Sequence, residues 1–165
     1  MTAPGSLLDY MNAILFPVSV QCTRIEGEMF YSFSSGSAPT LNISGTPIYY
    51  MDKGHSGTRP TDHMSFTLLI SYQAPYSINA SEQILEFGAP TPDVSNVGIE
   101  NFMVNDVEVI HETGDISMLG LNLSFVTSRM HFEFVGDNQL KLTPIFSPAP
   151  DGMNIEPRPL ILQRR

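Results

Sequence analysis

The chain has 165 residues, 42% of them hydrophobic and only 15% charged, and a net charge of −9. That length suits one domain, residues 1–165, able to bury roughly 70% of the surface its unfolded chain exposes. Eight Lys and Arg against seventeen Asp and Glu exclude a nucleic-acid groove and an anionic bilayer as partners, and no apolar run nears the roughly 18 residues of a spanning helix.

Leu7, Leu8 and Ile14 to Phe16 make a short apolar stretch. No basic residue precedes it, and Asp9 and Asn12 interrupt it, so it does not read as a signal peptide. It predicts a short helix with Ser6 as N-cap, Asp9 in the first turn and Pro17 as the stop. Val18, Val20 and Cys22 then alternate with Ser19, Gln21 and Thr23, which predicts a strand ending near Gly27; Met29, Tyr31 and Phe33 continue it in extended form. Residues 34–46, rich in Ser, Gly, Pro and Thr, read as a loop over a cavity mouth. Ile48 to Met51 is a short aromatic strand, and Asp52 to Pro60 a second loop.

The cleanest half-buried strand is Met64, Phe66, Leu68, Ile70 and Tyr72, alternating with His63, Ser65, Thr67, Leu69 and Ser71. Further strands are predicted at Ile84 to Phe87, Ile99 to Val104, Val107 to Glu112, Ile116 to Val126 and Leu160 to Gln163, with a turn-rich stretch over 88–96 and a proline-rich excursion over 147–159. Between them, Met130, Phe132 and Phe134 alternate with His131, Glu133 and Val135. Gly136, Asp137 and Asn138 supply turn conformations, and Leu140 and Leu142 alternate with Gln139 and Lys141. That is a β-hairpin. The whole predicts an all-β domain of about eight to nine strands behind one short helix, closed into an antiparallel up-and-down barrel because closure removes exposed edges. Met64, Phe66, Leu68, Ile70, Val107, Val109, Phe132, Phe134, Leu140 and Leu142 are expected to point inward.

The hairpin also carries a resemblance. Phe132-Glu133-Phe134-x-Gly136-Asp137-x-x-Leu140-x-Leu142, with a closing Leu160-x-Leu162-x-Arg164, resembles the short lipocalin-like domain family. Ser71-Tyr72, Tyr76 and Val109-Ile110-His111-Glu112 look similar too, so the resemblance covers residues 64–143 and 160–165. It implies a lipocalin-like barrel with room for one small ligand. The family opens with a Gly-Thr-Trp segment whose tryptophan plugs the barrel floor; this chain has no tryptophan, and Leu15 to Val20 would have to replace the plug. Related barrels occur in natural-product pathways, some of them as cofactor-free cyclases or isomerases.

Candidate chemistry comes from polar residues in phase with apolar faces. His111 shares a face with Val107 and Val109, as an acid/base group or as a hydrogen-bonded core histidine. Arg24 follows Val18, Val20 and Cys22, either gripping a carboxylate, enolate or carbonyl oxygen or pairing with Glu26 or another carboxylate at the barrel end. Tyr50 shares a face with Ile48, and Tyr72 with Ile70; their hydroxyls are donors to a substrate or polar tips of core aromatics. Met64, Phe66, Leu68, Val109, Met130 and Phe132 are the expected ligand-lining residues, and the nine methionines suit an adaptable cavity. His55 and His63, near Asp62, have no recognised metal-ligand spacing and read as surface loop histidines, so neither metal nor cofactor is expected. Cys22, the only cysteine, excludes an internal disulfide and suits a reducing, cytoplasmic compartment, in which the Asn-x-Ser sequons at Asn42, Asn79 and Asn122 are chance occurrences.

The function expected is a cofactor-independent cyclase or isomerase of an apolar secondary metabolite of polyketide or terpenoid type. A non-catalytic binding or carrier protein is the alternative, and a structural or assembly subunit the third. The partner is an apolar small molecule, with a homodimer allowed. An inward Arg24 or His111 in an enclosed cavity favours catalysis; an apolar lining with Arg24 locked to the protein favours binding.

Overall fold

A computed structural model describes residues 1–2, 6–14, 20–53, 61–109, 127–145 and 158–164. They form one small helix and a mostly antiparallel β-structure. Its centre is the long strand β5 (Asp62–Asn79), met on one edge by β3 (Thr40–Gly45) and β4 (Ile48–Lys53) in a single unbroken register. Thr40 faces Pro75, Gly45 faces Ile70, Ile48 faces Thr67 and Lys53 faces Asp62. β3 and β4 are thus halves of one strand, parted at Thr46 and Pro47. Proline has no N–H to give, but its carbonyl accepts from the Leu68 N–H at 2.9 Å and carries the ladder across the break.

The next layer out repeats the device. β1 (Val20–Glu26) and β2 (Met29–Phe33) pair with β4 and β3 and part at Gly27, whose φ of +81° suits glycine. Here β3 comes so close to the start of β2 that a Cβ on Gly45 would collide with the Glu28 carbonyl oxygen. On the other edge of β5 lie β6 (Ile84–Phe87) and β7 (Asn96–Val104), the latter followed through Asn105 and Asp106, both at positive φ, by β8 (Val107–Glu108). The chain then forms β9 (Arg129–Val135), β10 (Gln139–Pro144) and β11 (Leu160–Gln163), giving the path β1-β4-β5-β6-β9-β10-β11. The predicted hairpin is present, with Val135 opposite Gln139, Met130 opposite Pro144 and Gly136 at φ +63°.

The end strands of this path are not paired with each other among the described residues, so the sheet is not closed by strand pairing. Residues 1 and 2 span the gap. Thr2 exchanges backbone hydrogen bonds with Gln163 of β11 (2.9 and 2.6 Å), and Met1 does so with Tyr31 of β2 (2.8 and 2.9 Å). The helix α1 (Ser6–Ile14) turns Leu7 and Tyr10, three residues apart, onto the core and Asp9 to solvent. Its Asn12 side chain acts as a strand partner for the edge of β1, donating to the Cys22 carbonyl (2.8 Å) and accepting from the Cys22 N–H (2.9 Å).

Phe66, Leu68 and Ile70 from β5, Leu140 and Leu142 from β10, Leu160 and Leu162 from β11 and Met130 are buried together, as alternation predicts. Met64 and Phe132 are half-buried against them. Three expectations are corrected. Residues 34–46 are not a loop throughout, since Thr40 begins β3 and turns Leu41 and Ile43 inward. Val107 (66% exposed) and Val109 (36%) lie outside the core, because β8 is a two-residue edge pairing only with the end of β7. Phe134 keeps the inner phase of Met130 and Phe132 yet is 72% exposed, because β6 covers β9 only from Arg129 to His131. The described residues hold eleven strand segments, with β1 and β2 where the sequence reads one extended run and β3 where it reads a loop. The expectations for Leu15 to Ser19, His55, residues 110–126 and residues 147–157 lie outside the described residues.

Burial separates two aliphatic truncations. Leu142→Ala should lower the unfolding free energy by roughly 2–5 kcal/mol, since Leu142 is fully buried. Val107→Ala should stay within about 0.5 kcal/mol. Urea denaturation of both variants checks the pair.

Candidate functional site

Arg24 sits on the outer surface. The β1–β4 register shifts between Cys22 and Arg24, where Thr23 is the extra residue of a β-bulge. One inserted residue reverses the side-chain phase. Cys22 therefore points in, while Arg24 and Glu26 point out with Ile25 half-buried between them. The Arg24 guanidinium lies 3.0 Å from a Glu26 carboxylate oxygen and 3.9 Å from the centroid of the Tyr50 ring, and the Tyr50 hydroxyl donates to the other Glu26 oxygen at 3.1 Å. Of the two readings of Arg24, pairing with Glu26 is the one observed, and the inward placement of Arg24 and Tyr50 is corrected: the two meet on the exterior, in a cluster closed on itself. Tyr72 stands apart from them, half-buried on the inner face with Leu68 and Ile70, and burial raises its pKa. His111 lies outside the described residues.

Of the expected lining residues, Phe66, Leu68 and Met130 fill the core. Phe66 stacks on Tyr49 at 5.7 Å and meets Phe102 at 6.1 Å. Met64 packs at the core margin, Val109 is at the surface, and Phe132 alone of the six borders the clefts described below.

The core also holds a group of hydroxyls. Tyr10 of α1, Tyr31 of β2 and Tyr49 of β4 are all but inaccessible, close to Cys22 and Met29. The Tyr49 hydroxyl donates to the Met29 sulfur at 3.6 Å. The Tyr31 hydroxyl has no hydrogen-bond partner among the described residues. Nor does that of Tyr10, although the Thr127 backbone comes near enough to offset a little of its burial. Burial dominates and raises all three pKa values, with smaller upward pushes on Tyr31 from Tyr49 and Tyr10, on Tyr49 from Cys22 and on Tyr10 from Tyr72. Burial likewise pushes the Cys22 thiol up to about 11. These groups stay protonated near neutral pH. Alternation in the sequence puts Cys22 on one face with Val18 and Val20 and Tyr31 on one face with Met29 and Phe33, whereas their meeting with Tyr10 depends on where the helix docks.

An open apolar cleft of about 320 Å³ runs along the uncovered inner face of β9, walled by Phe33, Tyr76, Ile78, Leu85, Phe132 and Phe134. Phe33 meets Tyr76 edge-on at 5.6 Å and Phe132 meets Phe134 edge-on at 6.0 Å, a geometry aromatic pairs favour. The Tyr76 hydroxyl is committed to the Ser34 carbonyl at 2.9 Å. A second opening of about 420 Å³ shares Phe33, Phe134 and Leu140 with the first and continues to the β9–β10 turn. Elsewhere His63 pairs with Asp52 at 2.6 Å on the surface. Comparison with family models, curated proteins and solved structures gives no match for this chain.

Two outcomes follow from the geometry. Arg24→Ala should cost no more than about 1 kcal/mol of stability in urea denaturation, because its ion pair is solvent-exposed. Cys22 should resist thiol reagents at pH 8 in the folded protein. Its folded pKa lies above the roughly 8.5 of a free thiol, so the unfolded chain loses that proton first. Stability should therefore be intact below pH ~8.5 and fall toward pH 11, by up to ~1.4 kcal/mol per pH unit from this group. Urea midpoints from pH 8 to 10 should decline less steeply in Cys22→Ala.

Proposed function

We propose that the protein is a lipocalin-like binding or carrier protein that takes up a small apolar molecule in the cleft between β2, β5 and β9. The observation that carries this reading is an uncovered apolar wall in which Phe134 is 72% and Ile78 56% exposed beside half-buried Phe132 and Tyr76. Contiguous apolar surface of this kind is costly in water and marks a place where something binds. The polar groups nearby favour binding over chemistry, since the Tyr76 hydroxyl is engaged and the Arg24, Glu26 and Tyr50 cluster faces the opposite way. The barrel form is part of the proposal: residues 1 and 2 continue backbone hydrogen bonding from β11 to β2, which supports a ring completed by the N-terminal segment. A cofactor-free cyclase or isomerase is the second reading, favoured by the unpaired hydroxyl of Tyr31, a residue of the second opening's wall. Turnover lost in Tyr31→Phe with binding retained would carry it.

Titration with the neutral dye Nile red tests the primary reading. It should bind saturably at one site on the folded protein. Phe134→Asp should weaken it roughly tenfold or more, since a buried Phe contributes about 1.5–3 kcal/mol. Val107→Asp, at an equally exposed valine away from the cleft, should leave binding unchanged. Absence of saturable binding, or undiminished affinity in Phe134→Asp, would overturn the assignment.

A further inference from the structure

We infer that the molecule held in this cleft is a linear amphiphile with a single carboxylate head, its tail between Phe33, Phe132 and Phe134 and its head at Arg164. This rests on the binding function proposed above. The second opening adjoins the apolar cleft, sharing Met1, Phe33, Phe134 and Leu140 as walls, and its other wall residues include the polar Ser32, Asp137, Gln139 and Arg164. A molecule filling both openings must therefore be apolar at one end and polar at the other.

Arg164 sets the sign of the head. It follows β11, and its backbone N–H donates to the Asn138 carbonyl at 2.7 Å, which anchors it beside the β9–β10 turn. Arg24 pairs with Glu26, Arg129 with Glu86 and Lys141 with Glu133; Lys53, at the end of β4, borders neither opening, and the Met1 ammonium, on the wall of both, donates to the Tyr31 carbonyl at 2.9 Å. The Arg164 guanidinium makes no ion pair among the described residues. Asp137, which borders the same opening, does not pair with it. A planar guanidinium left unmatched at the polar end of an apolar slot suits a carboxylate, which it can meet with two parallel N–H donors. Asp137 opposes that anion from the turn, so the head must sit on the Arg164 side. The protein's net charge of −9 gives an anion no general attraction, which leaves the selectivity to this local contact.

Displacement of Nile red by three probes of equal tail length, dodecanoate, dodecanol and dodecyltrimethylammonium, tests the inference. Dodecanoate should bind roughly three- to tenfold tighter than dodecanol, with the cation weakest, and 0.5 M NaCl should reduce the preference. Arg164→Gln should bring acid and alcohol to parity by weakening dodecanoate more than dodecanol, with the urea midpoint unchanged; Arg164→Lys should restore part of the difference. Asp137→Asn should keep or enlarge it. Equal affinities in the unaltered protein, a preference that survives Arg164→Gln, or one lost in Asp137→Asn would overturn the carboxylate assignment with the binding function intact. If none of the three displaces the dye, the amphiphile assignment fails; if the dye does not bind at all, the binding function fails with it.

Discussion

The two-sided pairing of β5 is the constraint on which the rest of the structure depends. An 18-residue strand spans roughly 60 Å if extended, whereas a folded chain of this length has a radius of gyration of roughly 15 Å. Such a strand fits only by twisting and coiling, and it carries its neighbours with it. One edge of β5 holds β3 and β4 in a single register, and the other holds β7 and then β6. Because β6 in turn pairs with β9, the far end of β5 hands the sheet on to the β9–β10–β11 group. The breaks in neighbouring strands accommodate this curvature: Pro47, Gly27, the Thr23 bulge, and a register shift in β7 at Asn101, whose φ is +51°.

Those adjustments also decide what the surfaces carry. The Thr23 bulge separates two neighbourhoods that unbroken alternation would have merged. Inside are Cys22 and the buried tyrosines, kept neutral by desolvation; outside are Arg24, Glu26 and Tyr50, which satisfy one another in water. A guanidinium driven inward next to three tyrosines with few spare acceptors would have faced a large desolvation cost. A single-residue insertion avoids it.

The cleft arises from unequal strand lengths. β6 has four residues and β9 seven, so half of the inner face of β9 has no neighbour on that side. A sheet that simply lacked a cover would be expected to place polar residues there. Instead the chain places Phe132 and Phe134 on β9 and Ile78 on β5, an arrangement whose apolar surface makes sense when another molecule removes it from water. In the proposed reading, Arg164 at the neighbouring opening would give that molecule a direction.

Periodicity made much of the fold legible. The helix, the long β5 strand, the hairpin and the inward sets on β5 and β10 follow from spacing, because a pleated strand must send alternate side chains to opposite faces. Where composition and periodicity conflicted, composition misled: Thr40, Asn42 and Ser44 read as loop residues, although Leu41 and Ile43 between them mark a buried strand face. The sequence alone also put Cys22 on one face with Val20, Tyr31 on one face with Met29, and Tyr50 on one face with Ile48. It could not say which of two faces was inside once a bulge intervened, so Arg24 was assigned to the wrong one. Nor could it say how far each strand would be covered, so Phe134 and Val107 were expected in the core. Facing and phase are local properties written in the spacing of side chains. Coverage depends on the lengths and registers of neighbouring strands, and the cleft, the tyrosine cluster and the isolation of Arg164 were therefore decided only by the assembled sheet.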